Sequence, residues 1–297
     1  MYLTPRNFLV FIYLCFSVCI GQGLKLTISD YKPFPEKIFS LGIEPTQLEW
    51  SLVNKFLLLD ENRTDLISLD HSGNLSLTSG FSNPNSRFGE LIWMGVAPNG
   101  IRLIDRIENE IIFLDYRLNP IQTITLEQRI FPELATIDPW GRIYLYSKSY
   151  NGIFIFERAE LNTIPFIDLS KEDQSFYCIT DLASSQDGDL AVLFCDGSVK
   201  QYSRNGKIKF STFTKINDPS FLVALANDWL VFNRQGKGES INSGDQLFIP
   251  NSSVPVTDIK TLNQSMAVLT KDHILILDVK KNRYSLLPAN YSFFPSL

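Results

Sequence analysis

The residues of this 297-residue chain best able to do chemistry are carboxylates spaced about one apolar repeat apart. Glu44 or Glu49, Glu90, Glu133, Asp181, Asp218 and Asp258 each fall near the start of an apolar run. Brought around one axis, several of them could hold a hard cation such as Ca2+, which takes roughly six to eight oxygen ligands. Glu133, Asp181 and Asp258 are the leading metal-ligand candidates. Thr180-Asp181-Leu182 and Thr257-Asp258-Ile259 repeat one context, each six residues before a turn residue, Asp187 and Gln264. The competing reading is that such acids form turns, as in Asp218-Pro219. Ca2+ is the one cofactor the pattern suggests.

Other chemistries are poorly supplied. The two histidines, His71 and His273, have no second histidine or cysteine at metal-ligand spacing and read as surface loop residues. The sequence has no Gly-X-Ser-X-Gly elbow and no glycine-rich phosphate loop of recognised spacing. Lys and Arg number 27 against 32 Asp and Glu, a balance that disfavours nucleic acid as a partner. Among the aromatic residues, Trp50, Trp93 and Trp229 fall in or beside apolar runs and read as packing. Trp140 sits inside the turn Pro139-Trp140-Gly141. An exposed tryptophan there is a binding-surface candidate for a protein, peptide or glycan.

The elements that must position these residues announce themselves as a repeat. Phe56-Leu57-Leu58-Leu59-Asp60 is followed by Leu66-Ile67-Ser68-Leu69-Asp70, and Ile101-Arg102-Leu103-Ile104-Asp105 by Ile111-Ile112-Phe113-Leu114-Asp115. The third pair is Ile143-Tyr144-Leu145-Tyr146 and Ile153-Phe154-Ile155-Phe156-Glu157. Turn residues Asn54, Asn99, Trp140, Asp187, Asp228 and Gln264 mark intervals of 45, 41, 47, 41 and 36 residues. Runs this short, apolar and β-branched are strands, and a period of this length is that of a four-stranded blade. The fold class is all-β, a six-bladed β-propeller of four-stranded antiparallel blades. Residues 24–47 are too few for a seventh blade. The ring is expected to close with residues 283–287 as a fourth strand and residues 37–41 as an extra or replacement outer strand.

Asp138-Pro139-Trp140-Gly141-Arg142-Ile143-Tyr144-Leu145 and Ile153-Phe154-Ile155-Phe156-Glu157 resemble the blade pattern of six-bladed propellers of the NHL and TolB-like kind. The resemblance extends over residues 40–288 and implies a fold rather than an activity. Six-bladed lactonases resembling gluconolactonase hold a metal in the channel, which is the context in which Glu133, Asp181 and Asp258 would act as ligands. Blade 5 departs from the pattern, with polar residues from Asn233 to Ser240 where an apolar third strand is expected.

The N-terminus reads differently. Arg6 precedes an apolar stretch from Phe8 to Ile20, then Gly21 and Gly23, which suits a secretory signal over residues 1–22 and is too short to span a bilayer. Residues 23–297 then form one domain with no transmembrane span, periplasmic or secreted, with lipidation at Cys19 as a minor alternative. Loss of the leader leaves Cys178 and Cys195, a possible disulfide in an oxidising compartment. They face each other if Gln186 and Asp187 are the central turn residues, sit diagonally if Asp187-Gly188 is the turn, and lie on opposite faces with a three-residue loop. Two buried free thiols are the other reading. Two functions remain. One is an extracytoplasmic interaction, scaffold or ligand-binding module acting through loops at one rim; the alternative is a metal-assisted, lactonase-like hydrolase using channel carboxylates.

Overall fold

The computed structural model describes residues 22–51, 55–70, 72–79, 88–171, 178–251 and 253–283. Strand β1 (Gln22–Pro33) and the short helix α1 (Glu36–Ser40) precede blade 1, which is β2 (Gln47–Ser51), β3 (Lys55–Asp60), β4 (Asp65–Leu69) and β5 (Leu75–Ser79). Blade 2 is β6 (Leu91–Ala97), β7 (Gly100–Asp105), β8 (Glu110–Leu114) and β9 (Pro120–Thr125). Blade 3 is β10 (Leu134–Ile137), β11 (Ile143–Ser147), β12 (Gly152–Glu157) and an outer strand split into β13 (Glu160–Leu161) and β14 (Ile167–Asp168). Blade 4 is β15 (Ile179–Ser184), β16 (Leu190–Phe194), β17 (Ser198–Tyr202) and β18 (Ile208–Phe213). Blade 5 is β19 (Pro219–Leu225), β20 (Asp228–Asn233), β21 (Lys237–Ser240) and β22 (Gln246–Phe248). Blade 6 is β23 (Val256–Leu262), β24 (Ser265–Thr270) and β25 (His273–Arg283), completed by β1.

Successive strands of each blade pair antiparallel. The first strands contact one another in a ring, β2 to β6, β10, β15, β19, β23 and back to β2, so they line the axis. The fold is therefore a six-bladed β-propeller, as the repeat spacing predicts. One rim carries the turns after the first and third strands and is called here the turn rim. The far rim carries the turns after the second strands and the connections between blades.

Burial explains why the second-strand sequences are apolar without alternation. The second strands β7, β11 and β16 are buried at every residue, and β3 at every residue but Lys55, because a central strand is covered by a neighbouring blade on each face. The outer strands β9 and β18 are largely exposed. Six apolar clusters fill the six gaps between blades, for example Leu57, Leu59, Leu103 and Ile112 between blades 1 and 2. Each fully buried aliphatic side chain contributes about 1.5–3 kcal/mol.

The ring closes differently from expectation. β1 pairs along β25 with a bulge between Ile28 and Asp30, so the N-terminal strand is the outer strand of blade 6. Residues 37–41 do not supply an outer strand. Residues 36–40 form α1 instead, stopped by Gly42 at φ 65, with Ile38 buried in the gap between blades 6 and 1. Residues 284–287 lie outside the described residues, as do residues 1–21 of the expected leader.

Blade 5 keeps its register despite its polar third strand. Glu239 is buried and accepts hydrogen bonds from Thr214 Oγ1 at 2.8 Å and Lys215 N at 2.6 Å, tying β21 to the connection from blade 4. The Phe232 ring lies where a Cβ on Gly238 would be, which explains the glycine.

Candidate functional site

Asp181 and Asp258 occupy matching places at β-bulges, where β15 and β23 each carry one extra residue, Thr180 and Thr257. In each, Oδ1 accepts from the next backbone N–H and Oδ2 reaches into the following blade. Asp181 takes the N–H of Leu222 at 2.7 Å, and Asp258 that of Leu48 at 2.8 Å. Gln47 does the same for Met94 at 3.1 Å while donating to Ile92 O at 2.6 Å. Each satisfies a backbone donor on an inner strand that has no sheet partner on its axial edge. Their matching context in the sequence thus marks latches between blades.

The same acids line a cavity. It has a volume of about 380 Å³ and runs between all six inner strands, with Glu49, Trp93, Asp181, Leu222 and Asp258 among its deepest lining residues. The exposed turn residues Pro98, Pro139, Gln186, Ala226 and Asn263 surround its mouth on the turn rim. The matching turn of blade 1, at residues 52–54, lies outside the described residues.

Inside the cavity, Lys260 Nζ pairs with Glu49 Oε1 at 3.1 Å, and Asp258 and Asp181 are its other electrostatic neighbours. These side chains are enclosed by protein yet reachable from the cavity; Glu49 is 16% and Lys260 30% exposed. Burial pushes the Asp181 carboxyl up to about 7, against the pull of the Leu222 N–H and of Lys260. Burial likewise raises Glu49 and Asp258. It would lower the Lys260 ammonium, but Asp258, Glu49 and Asp181 together hold it above its usual range.

Of the three ligand candidates, the structure brings together Asp181 and Asp258 and leaves Glu133 apart. Glu133 is exposed on the far rim just before β10, near Arg106, while the cavity lining in this blade begins at Thr136. Glu90 pairs with Arg106, Glu44 with Lys271, and Asp218 is exposed at a turn with φ 53. The partners missed by sequence reasoning are Gln47, Glu49 in its paired role, and Lys260. The signal available for Lys260 was its spacing two residues after Asp258, which puts both on one face of a strand. An ammonium already stands among the carboxylates, and among the described residues no group of three or more His, Cys, Asp or Glu is arranged to hold a metal.

Trp140 is 55% exposed on the turn rim. The Arg204 guanidinium stacks on its ring at 4.3 Å, and Gly188 leaves room for the ring, since a Cβ there would approach it to 2.6 Å. Arg142 braces this corner by pairing with Glu157 at 2.9 Å and donating to Arg204 O at 3.1 Å. These contacts fix the orientation of the Trp140 ring. Trp93 and Trp229 are buried.

Cys178 and Cys195 lie opposite each other, Cα atoms 5.4 Å apart and sulfurs joined. The connection between their strands is the three-residue loop, with Ser185 N bonded to Asp189 O, which alone would put them on opposite faces. The bulge at Thr180 cancels that offset and restores their facing register. His273 also differs from its reading as a surface residue. It is buried, with Nδ1 at 2.5 Å from Asp272 Oδ1 and 2.9 Å from Thr270 Oγ1. Both partners share one nitrogen, so this is a turn brace and lacks the relay of a Ser-His-Asp site. His71 lies outside the described residues.

No protein-family model and no curated protein matches the chain. Solved structures do. A catalytically inactive virginiamycin B lyase from Staphylococcus aureus, solved with quinupristin, is 14% identical, covers 78% of this chain and 79% of its own, and superposes with a TM-score of 0.56. A putative gluconolactonase is 11% identical over 90% of this chain and 96% of its own, TM-score 0.59. YCF48 bound to D1 peptide is 14% identical over 77% and 76%, TM-score 0.55. At such identities the likeness establishes the fold alone, a β-propeller. The same scaffold serves both enzymes and binding proteins among these structures.

Proposed function

We propose that the chain is an extracytoplasmic binding module whose turn rim, with the cavity it surrounds, receives a protein, peptide or glycan. The observation that carries this reading is the braced Trp140–Arg204 stack standing exposed beside the cavity mouth. Tryptophan and arginine are the residue types that most often dominate binding energy, and side chains already held in place lose little freedom on association. The cavity chemistry agrees. Its carboxylates latch blades and surround a lysine, an arrangement that favours binding over metal-assisted hydrolysis. The extracytoplasmic placement rests on the apolar leader over residues 1–22 and on the joined pair Cys178 and Cys195. Cleavage after Gly21 would leave β1 whole, since that strand begins at Gln22.

The test is a screen of the purified protein on peptide and glycan arrays, repeated with Trp140→Ala and with Phe131→Ala on the far rim. The ligand found should lose about 2 kcal/mol of binding, roughly 30-fold in Kd, with Trp140→Ala and nothing with Phe131→Ala. Loss with Phe131→Ala alone would place binding on the other rim and overturn the reading.

A further inference from the structure

Resting on the reading that the axial cavity is a binding site, we infer that it accepts its ligand through a positively charged nitrogen, an ammonium or guanidinium, carried on an apolar stem. The charge count inside the cavity points this way. Its ionisable lining is Glu49 from β2, Asp138 from the turn after β10, Asp181 from β15, and Asp258 and Lys260 from β23; β6 and β19 supply none. Asp138 is turned to its own hairpin, where Oδ1 accepts from Trp140 N and Arg142 N. That leaves Glu49, Asp181 and Asp258 against the single cation Lys260, which is paired at 3.1 Å to Glu49. An anion would enter a field of surplus negative charge and find the one lysine taken. A cation would complete the pairing.

Geometry supplies the rest. Asp181 and Asp258 each spend one acceptor site per oxygen on backbone N–H groups. A carboxylate has about four such sites, so both keep sites for a donor arriving from the cavity. Trp50, Trp93, Leu222 and Val223 give the walls an aromatic and aliphatic surface suited to a hydrocarbon stem, and indole faces attract cations. The volume of about 380 Å³ suits a small ligand or one long side chain. The raised Asp181 carboxyl agrees with this: the site holds a proton near neutrality where a cationic ligand would displace it.

The experiment is calorimetric titration of the whole secreted chain with benzylamine and with Nα-acetyl-arginine amide, against benzyl alcohol and benzoate as neutral and anionic shape controls. One or both cations should bind at least about tenfold tighter than either control, and tighten by about tenfold as pH rises from about 5.5 to about 8. Binding of the amine alone assigns the ligand to small amines, and of the arginine amide alone to peptides. Two substitutions that stay clear of the blade latches separate charge from folding. Glu49→Gln should weaken cation binding, and Lys260→Gln should strengthen it. A merely structural role would make both weaken it. Benzoate or benzyl alcohol binding as well as the cations overturns the inference while leaving the cavity a binding site; no binding by any of the four probes overturns the cavity reading as well.

Discussion

Asp181 shows how one side chain can serve the fold and still shape the site. Its position at a bulge sends Oδ2 to the Leu222 N–H of the next blade, and burial holds its carboxyl up to about 7, against about 3.9 when unfolded. The folded protein therefore keeps a proton that the unfolded chain has released. Stability from this group is fully present below about pH 3.9 and lost as pH rises through about 7. Urea unfolding across that range should show a decline to which Asp181 contributes up to about 1.4 kcal/mol per pH unit, and Asp181→Asn should flatten the curve. A variant with the wild-type slope would show that Asp181 ionises normally in the fold. The latch was not legible in the sequence because its partner is 41 residues away and is a backbone group. What was legible was that Thr180-Asp181-Leu182 and Thr257-Asp258-Ile259 are equivalent, and the structure explains that equivalence by bulge and latch. Lys260 shares a strand face with Asp258, yet alternation alone could not show that Glu49, far away in sequence and in the adjacent blade across the ring closure, would be its partner.

At the scale of elements, the second strands were plain because burial on both faces leaves no polar alternation to misread. The ends of the chain were not. Residues 37–41 hold three apolar residues in five, Ile38, Phe39 and Leu41, as a short strand could, but Pro35 and Gly42 bound a single helical turn that puts Ile38 in the core and leaves Phe39 outside. The closing strand β1 was hidden beside the expected leader, and its pairing with β25 spans nearly the whole sequence. Closure by β1 makes Leu26, buried in the cluster between blades 5 and 6, a test of the ring. Leu26→Asp buries a charge without a partner and should lower stability by about 3 kcal/mol or more, whereas the same change at exposed Ile28 should cost under about 1 kcal/mol. Equal effects at the two positions in chemical denaturation would mean that β1 does not close the ring.

For the whole molecule, the ring gathers six inner strands around one cavity and sets the turns after them at one rim, so a ligand there meets residues from every blade at once. Fold alone leaves the activity open, since similar propellers include a virginiamycin B lyase and a D1-peptide-binding protein. The braced tryptophan and the carboxylate-lysine cluster support the proposed binding at the turn rim. Hydrogen exchange on the protein with and without the ligand selected on the arrays tests this most directly. The account predicts that slowed exchange concentrates in the turns at residues 98–100, 139–142, 185–189 and 262–265. Slowed exchange confined to the far-rim turns at residues 61–64, 106–109 and 148–151 would contradict it.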